Sequence, residues 1–84
     1  MEISDHARSQ AARRRVDEAT LLAVARAPEQ VIQAGPGREI RQSRIPFPPE
    51  GKVYLLRVVV DTEAGGETIV TVYRTSKINK YWSN

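Results

Sequence analysis

The residues of this sequence whose types suit chemistry are one histidine, a threonine–tyrosine pair and a knot of cations. They are His6, Thr71 and Tyr73, with Arg74-Thr75-Ser76-Lys77 directly after Tyr73. His6 changes charge near neutral pH without any perturbation, so it is the natural proton-transfer group. Thr71 and Tyr73 are two apart and share a face if they lie on a strand, where a tyrosine donates a proton or stacks on a base. Two cations and two hydroxyls within four residues suit the cradling of a phosphate. Each feature also has a plainer reading. His6 is equally a surface residue of a first helical turn, Tyr73 a core aromatic with its hydroxyl at the rim, and the Arg74–Lys77 run a polar loop.

Elimination narrows the chemistry. There is no Gly-rich phosphate loop leading to Lys-Ser or Lys-Thr, and no nucleophile elbow. With no cysteine, a thiolate metal site, a disulfide and a cysteine nucleophile are excluded, and a single histidine argues against a His-based zinc site. The acidic residues are scattered and form no paired or metal-binding set, so neither a metal nor another cofactor is expected. One reaction fits what remains, the cleavage of RNA by its own 2′-hydroxyl. It needs a group to draw a proton off that hydroxyl, another to protonate the departing 5′ oxygen, and cations to stabilise the phosphorane-like transition state.

The cations are mostly of the phosphate-matching kind. Of 13 Lys and Arg residues, ten are Arg, and the net charge is +3. Guanidinium offers a planar fork of donors that suits phosphate oxygens. Such a balance leans toward a nucleic-acid or acidic-protein partner, against the bland alternative of a solvated surface. Arg13-Arg14-Arg15 is placed to dock a phosphate backbone or to solvate a helix end. Arg57 interrupts the most apolar stretch of the chain, so it should either pair with a carboxylate such as Glu67 or Asp61 or point into a cleft.

Positioning these groups falls to a small fold. At 84 residues the chain is a single domain, 1–84, that buries roughly 60% of the surface its unfolded form exposes. The hydrophobic content of 40% is that of a globular protein. No apolar run approaches the ~18 residues of a membrane span, and the first residues lack the pattern of a secretory signal, so a cytoplasmic location is expected. Composition shifts at Pro28. Seven of nine Ala precede it, and twelve of fifteen Val and Ile follow it. Ala favours helix and the β-branched residues favour sheet, which predicts an α+β fold: two N-terminal helices packed on an antiparallel sheet of about four strands.

Ser4 caps a helix expected over 5–14, with a thin apolar stripe of Ile3, Ala7 and Ala11 and a neighbouring stripe of His6, Gln10, Arg13 and Arg14. Asp17 caps a second helix over 18–27 that ends at Pro28, with Val16 closing over Leu21. Short strands follow at Val31-Ile32 and 38–45. Pro46 to Gly51 reads as a loop that holds no ladder. Lys52–Asp61 is a strand covered on both faces for much of its length. It is joined to a strand over 67–74 by a hairpin loop, Thr62-Glu63-Ala64-Gly65-Gly66. Strict alternation in that last strand places Ile69, Thr71 and Tyr73 on one face and Val70, Val72 and Arg74 on the other. The segment from Thr75 to Trp82 should fold back as a turn or an edge.

The pattern Ser4-Asp5-His6-Ala7, Arg14, Val16-Asp17-Glu18, Ala27-Pro28-Glu29-Gln30-Val31, Val58-Val59-Val60-Asp61 and TVYRTSKINKYW (71–82) resembles a family of small bacterial domains of unknown function. That family in turn resembles the RelE- and BrnT-type ribonuclease toxins, which pack N-terminal helices on a four-stranded antiparallel sheet. The resemblance implies a RelE/barnase-like fold, a metal-independent endoribonuclease activity and inhibition by a cognate antitoxin protein. His6, Arg14, Thr71, Tyr73 and Lys77 would be its site. The family usually carries an Arg one turn after the His-Ala start, where this sequence has Gln10. The resulting expectation is that His6 lies over the sheet face of Thr71 and Tyr73 and acts as acid or base. Tyr73 stacks or donates a proton, and Arg14, Arg74 and Lys77 hold the phosphate with Arg57 in support. The alternatives are a non-catalytic module that docks RNA or an acidic protein, or an inactive relative of the toxin fold.

Overall fold

A computed structural model describes residues 1–63 and 65–84. Among the described residues eight elements follow one another: β1 (Glu2–Ile3), α1 (Asp5–Arg13), α2 (Glu18–Arg26), β2 (Gln30–Gln33), β3 (Arg38–Phe47), β4 (Lys52–Asp61), β5 (Thr68–Thr75) and α3 (Ile78–Tyr81). The fold is α+β. Both long helices start where the capping residues put them. Ser4 Oγ accepts the Ala7 N–H at 3.1 Å, and Asp17 Oδ1 accepts the Thr20 N–H at 2.8 Å. The Thr20 side chain, and after it this backbone N–H, hold the Asp17 carboxyl below its ordinary pKa.

The sheet has five strands in the order β1-β5-β4-β3-β2 and is mixed. β2 through β5 pair antiparallel, including β4 with β5 as expected. The expectation that the helices precede every strand fails at β1. Glu2 and Ile3 pair parallel with Thr68 and Ile69, and the Ser4 N–H donates to the Ile69 carbonyl at 2.9 Å. Where β1 ends, α1 continues along the same edge. Gln10 Oε1 accepts the Val72 N–H at 2.8 Å, so a side chain takes the place of a strand partner.

Two further expectations are corrected. Pro46 and Phe47 belong to β3, opposite Val53 and Lys52. β2 pairs only with residues 39 to 42, so β3 has an open side beyond Gln42, the setting in which a residue without an N–H is accepted. The turn closes through Gly51, whose φ of 76° suits glycine and whose N–H reaches the Phe47 carbonyl at 2.9 Å. The loop expected from Thr62 to Gly66 includes Ala64, which lies outside the described residues.

The second correction concerns faces. The β4–β5 register shifts between Val59 and Val60: Val59 faces Thr71, and Val60 faces Ile69. Val70 is the extra residue, and a bulge of this kind breaks the alternation. Ile69 therefore joins Val72 on one face, with Leu56, Val58 and Val60 of β4 and Phe47 of β3. Ala7, Ala11, Leu21, Val24 and Ala25 of the helices complete that core. Thr71 and Tyr73 fall on the opposite face, across from Val59 and Arg57. Residues 55–58 of β4 are buried in succession, because the helices cover one face and the C-terminal segment the other. Among the described residues no helix is long and apolar enough to cross a membrane.

Candidate functional site

Arg57 is the centre of the second sheet face. It is 6% exposed and has no carboxylate partner among the described residues. Its Nε donates to Gln42 Oε1 at 2.9 Å and its Nη1 donates to the Tyr73 hydroxyl. Its guanidinium carbon lies 4.4 Å from the Tyr81 ring centroid and 5.4 Å from that of Tyr73. A buried charge is costly unless it is compensated, and among the described residues the compensation comes from neutral oxygens and π-faces. Of the two alternatives read from the sequence, the pairing with Glu67 or Asp61 is not the one the chain makes. Glu67 binds Arg41, and Asp61 lies 3.9 Å from Arg38.

The roof over Arg57 is the segment after β5. Gln42 Nε2 donates to the Tyr81 carbonyl at 3.1 Å and to Gln30 Oε1 at 2.8 Å, and that oxygen also accepts the Ser83 N–H at 3.0 Å. Arg44 stacks on Trp82 at 4.2 Å. The segment expected to fold back as a turn or an edge is thus a single helical turn laid over the sheet. None of the α3 residues is fully buried.

On the helix-covered face, beyond the end of α1, lies a second basic and aromatic group. The Arg74 guanidinium carbon is 4.4 Å from the Phe47 ring and 4.5 Å from the Tyr54 ring, and the two rings meet edge to face at 86°. Arg15 shares a recess of about 540 Å³ with Arg74, Phe47, Pro48, Pro49 and Glu50. Its backbone is unusual. The helix closes with Arg15 N–H on the Ala12 carbonyl and Val16 N–H on the Ala11 carbonyl, a Schellman cap. This cap places Arg15 at φ 57°, where glycine is the usual occupant and an L-residue costs about 1 kcal/mol or more.

The arginines divide by partner. Arg8 pairs with Glu18, Arg38 with Asp61, Arg41 with Glu39 and Glu67, and Arg44 with Glu29. Arg44 holds the Glu29 carboxyl down to about 2, and Arg41 holds Glu67 below its ordinary value. Arg13, Arg14, Arg15, Arg26, Arg57 and Arg74 have no ion pair among the described residues.

The structure brings together only part of the expected site. Tyr73 and Arg57 touch, with Thr71 half-buried on the same face. His6 does not join them. It is exposed on α1, which packs through Ala7 and Ala11 against the opposite face, because the bulge turned Val72 toward the helix and Tyr73 away from it. Arg14 is exposed at the end of α1, and Arg74 sits on the helix-covered face. Lys77 is exposed just before α3, its N–H on Thr75 Oγ1 at 3.0 Å. Gln42, Tyr81 and Trp82 were not singled out from sequence. Gln42 is fully buried in register with Arg57, and two polar residues facing each other in the sheet interior are a signal only once the β3–β4 pairing is known.

Comparison with known families matches residues 3–74 to DUF4258, a domain of unknown function, and the chain belongs to that family. The match takes in His6, Arg14, Arg57, Thr71, Tyr73 and Arg74 and stops short of Lys77 and α3. Comparison with curated proteins and with solved structures gives no match.

Proposed function

We propose that this DUF4258 protein is a metal-independent RNA endonuclease of toxin type, with a RelE-like arrangement of sheet and helices, working at the face that carries Arg57 and Tyr73. The observation that carries this reading is a buried guanidinium held by neutral partners only, a cation whose counter-charge is left for a ligand to supply. A phosphate brought to Arg57 gains a charge-assisted bond in a dry setting, where such bonds are strongest. The Tyr73 hydroxyl accepts from Arg57, so its own proton is free to go to the departing 5′ oxygen. The RNA 2′-oxygen bonds to phosphorus, the P–O5′ bond breaks, and the 2′ proton leaves to solvent water. Thr71 lies half-buried on the same face. A cognate antitoxin protein is the partner this function calls for. His6 has no part in this chemistry.

A second reading, a non-catalytic module that binds RNA or an acidic protein segment, is favoured by the roof of Tyr81 over Arg57. RNA incubated with purified protein, with and without EDTA, separates the two. For the enzyme, Tyr73→Phe lowers the cleavage rate by roughly 10²-fold or more and leaves RNA affinity nearly intact, since proton transfer acts in the transition state. EDTA has no effect. Wild-type protein that binds RNA and leaves it whole establishes the binding module. RNA neither bound nor cut at low salt removes both RNA readings.

A further inference from the structure

The recess lined by Arg15 and Arg74 is separate from the face that carries Arg57. Tyr73 and Arg74 are neighbours on β5 and point to opposite faces, so whatever occupies this recess is on the far side of the sheet from Arg57. Three observations converge on it. The Arg74 guanidinium carbon lies over two aromatic rings, which hold the cation at the recess wall without neutralising its charge. Arg15 stands at a left-handed cap position where glycine costs less, and a residue held in such a strained backbone conformation points to a use for its side chain. Neither is ion-paired among the described residues, although Glu50 borders the same recess.

We propose that this recess binds a phosphate group of single-stranded RNA, held by the guanidinium edges of Arg15 and Arg74 against the wall of Phe47, Pro48 and Pro49. The site extends the RNA reading above and rests on it for the identity of the ligand. Two arginines lining one recess can offer planar forks of donors that match the oxygens of a phosphate. Glu50 sets the order of preference: its charge opposes a ligand with many anionic groups in the recess and tolerates a single phosphate.

The test is binding of a uridine hexanucleotide with and without a 5′-phosphate, and of inorganic phosphate, to wild-type protein and to Arg15→Gly and Arg74→Gln. Arg15→Gly is the informative variant, because glycine suits the cap and the fold should melt at the same temperature as wild type or higher. The expected result is a dissociation constant for the hexanucleotide raised about tenfold or more in each variant, with the log–log salt slope reduced by about 0.7. A terminal phosphate is the ligand if only the 5′-phosphorylated strand shows this loss, and an internal phosphodiester if both strands do. Hexanucleotide binding that is unchanged within twofold in Arg15→Gly overturns the recess and leaves the RNA reading standing. Inorganic phosphate bound by wild type and lost in Arg15→Gly, with no binding of either RNA, keeps the recess and removes the RNA reading. A hexaglutamate peptide that binds as tightly as RNA and is equally sensitive to Arg15→Gly overturns the phosphate assignment in favour of an acidic protein segment. A lower melting temperature for Arg15→Gly would show that the arginine serves the fold.

Discussion

Replacing Arg41 by Gln tests the division of the arginines into those that hold the fold and those left for a ligand. Arg41 is 11% exposed in its side chain and ties β3 to α2 and to Glu67, the residue before β5. Its Nη1 donates to the Ala25 carbonyl in the last turn of α2 at 2.7 Å and to Glu67 Oε1 at 3.2 Å. Its Nη2 donates to Glu67 Oε2 at 2.6 Å, and its Nε donates to Glu39 Oε1 at 2.9 Å. A charge-assisted bond contributes roughly 1.5–3 kcal/mol. Glu67 is 42% exposed and rehydrates when released, so its share is discounted strongly for solvent screening. The Ala25 carbonyl and the half-buried Glu39 recover less. The expected loss is about 2–3 kcal/mol, or roughly 10–20 °C in melting temperature for a domain of this size.

Urea titration followed by far-UV circular dichroism reads the change. pH adds a second signature. The Glu67 carboxyl is held below its ordinary value of 4.5, so its contribution is present above that pH and is lost as pH falls through the lowered value. Arg41→Gln should flatten this acid limb while RNA binding persists wherever the protein is folded. A loss under about 0.5 kcal/mol, or RNA affinity that falls at temperatures where the variant is fully folded, would refute the division.

Gln10→Ala should destabilise by about 1 kcal/mol in the same titration, because the Val72 N–H loses its acceptor at a partly buried edge; an unchanged midpoint would show that water replaces it. The Glu29 carboxyl, held at about 2 by Arg44, should keep its charge as pH falls well below 4.5 and lose it near 2; carboxyl chemical shifts in NMR check this, and titration near 4.5 would show the ion pair to be open in solution. His6→Ala should leave stability within ~0.5 kcal/mol and RNA cleavage within about threefold, since the side chain is exposed and faces away from Tyr73; a loss approaching that of Tyr73→Phe would restore His6 to the site.

The parts legible in the sequence are those governed by near neighbours. Ser4 and Asp17 cap helices because an oxygen two or three residues ahead of a free N–H acts locally. Lys52–Asp61 declares itself a doubly covered strand by its own composition. What stayed hidden depends on a distant partner. Glu2–Ile3 has no pattern of its own and becomes a strand only because β5 offers it an edge. The bulge at Val70 reflects the spacing of Val59 and Val60 across the ladder, and it alone moves Ile69 away from the face of Tyr73. His6 and Tyr73 were therefore both recognisable as reactive types, while their separation was not. Arg57 was legible as an anomaly; its neutral partners were not, since Gln42 and Tyr81 lie fifteen and twenty-four positions away.

The pairing of β1 with β5 also has a consequence for the order of folding. β1 and α1 are synthesised well before Thr68 and Val72, the residues that they pair with, so this edge closes late. Contacts so distant along the chain slow folding, because loop closure precedes any gain from them. A nascent α1 with a broad apolar face would spend that interval as a target for aggregation. Ala7 and Ala11 present very little such surface. The thin stripe that contributes little to the finished core thus suits α1 to waiting in water until β5 arrives.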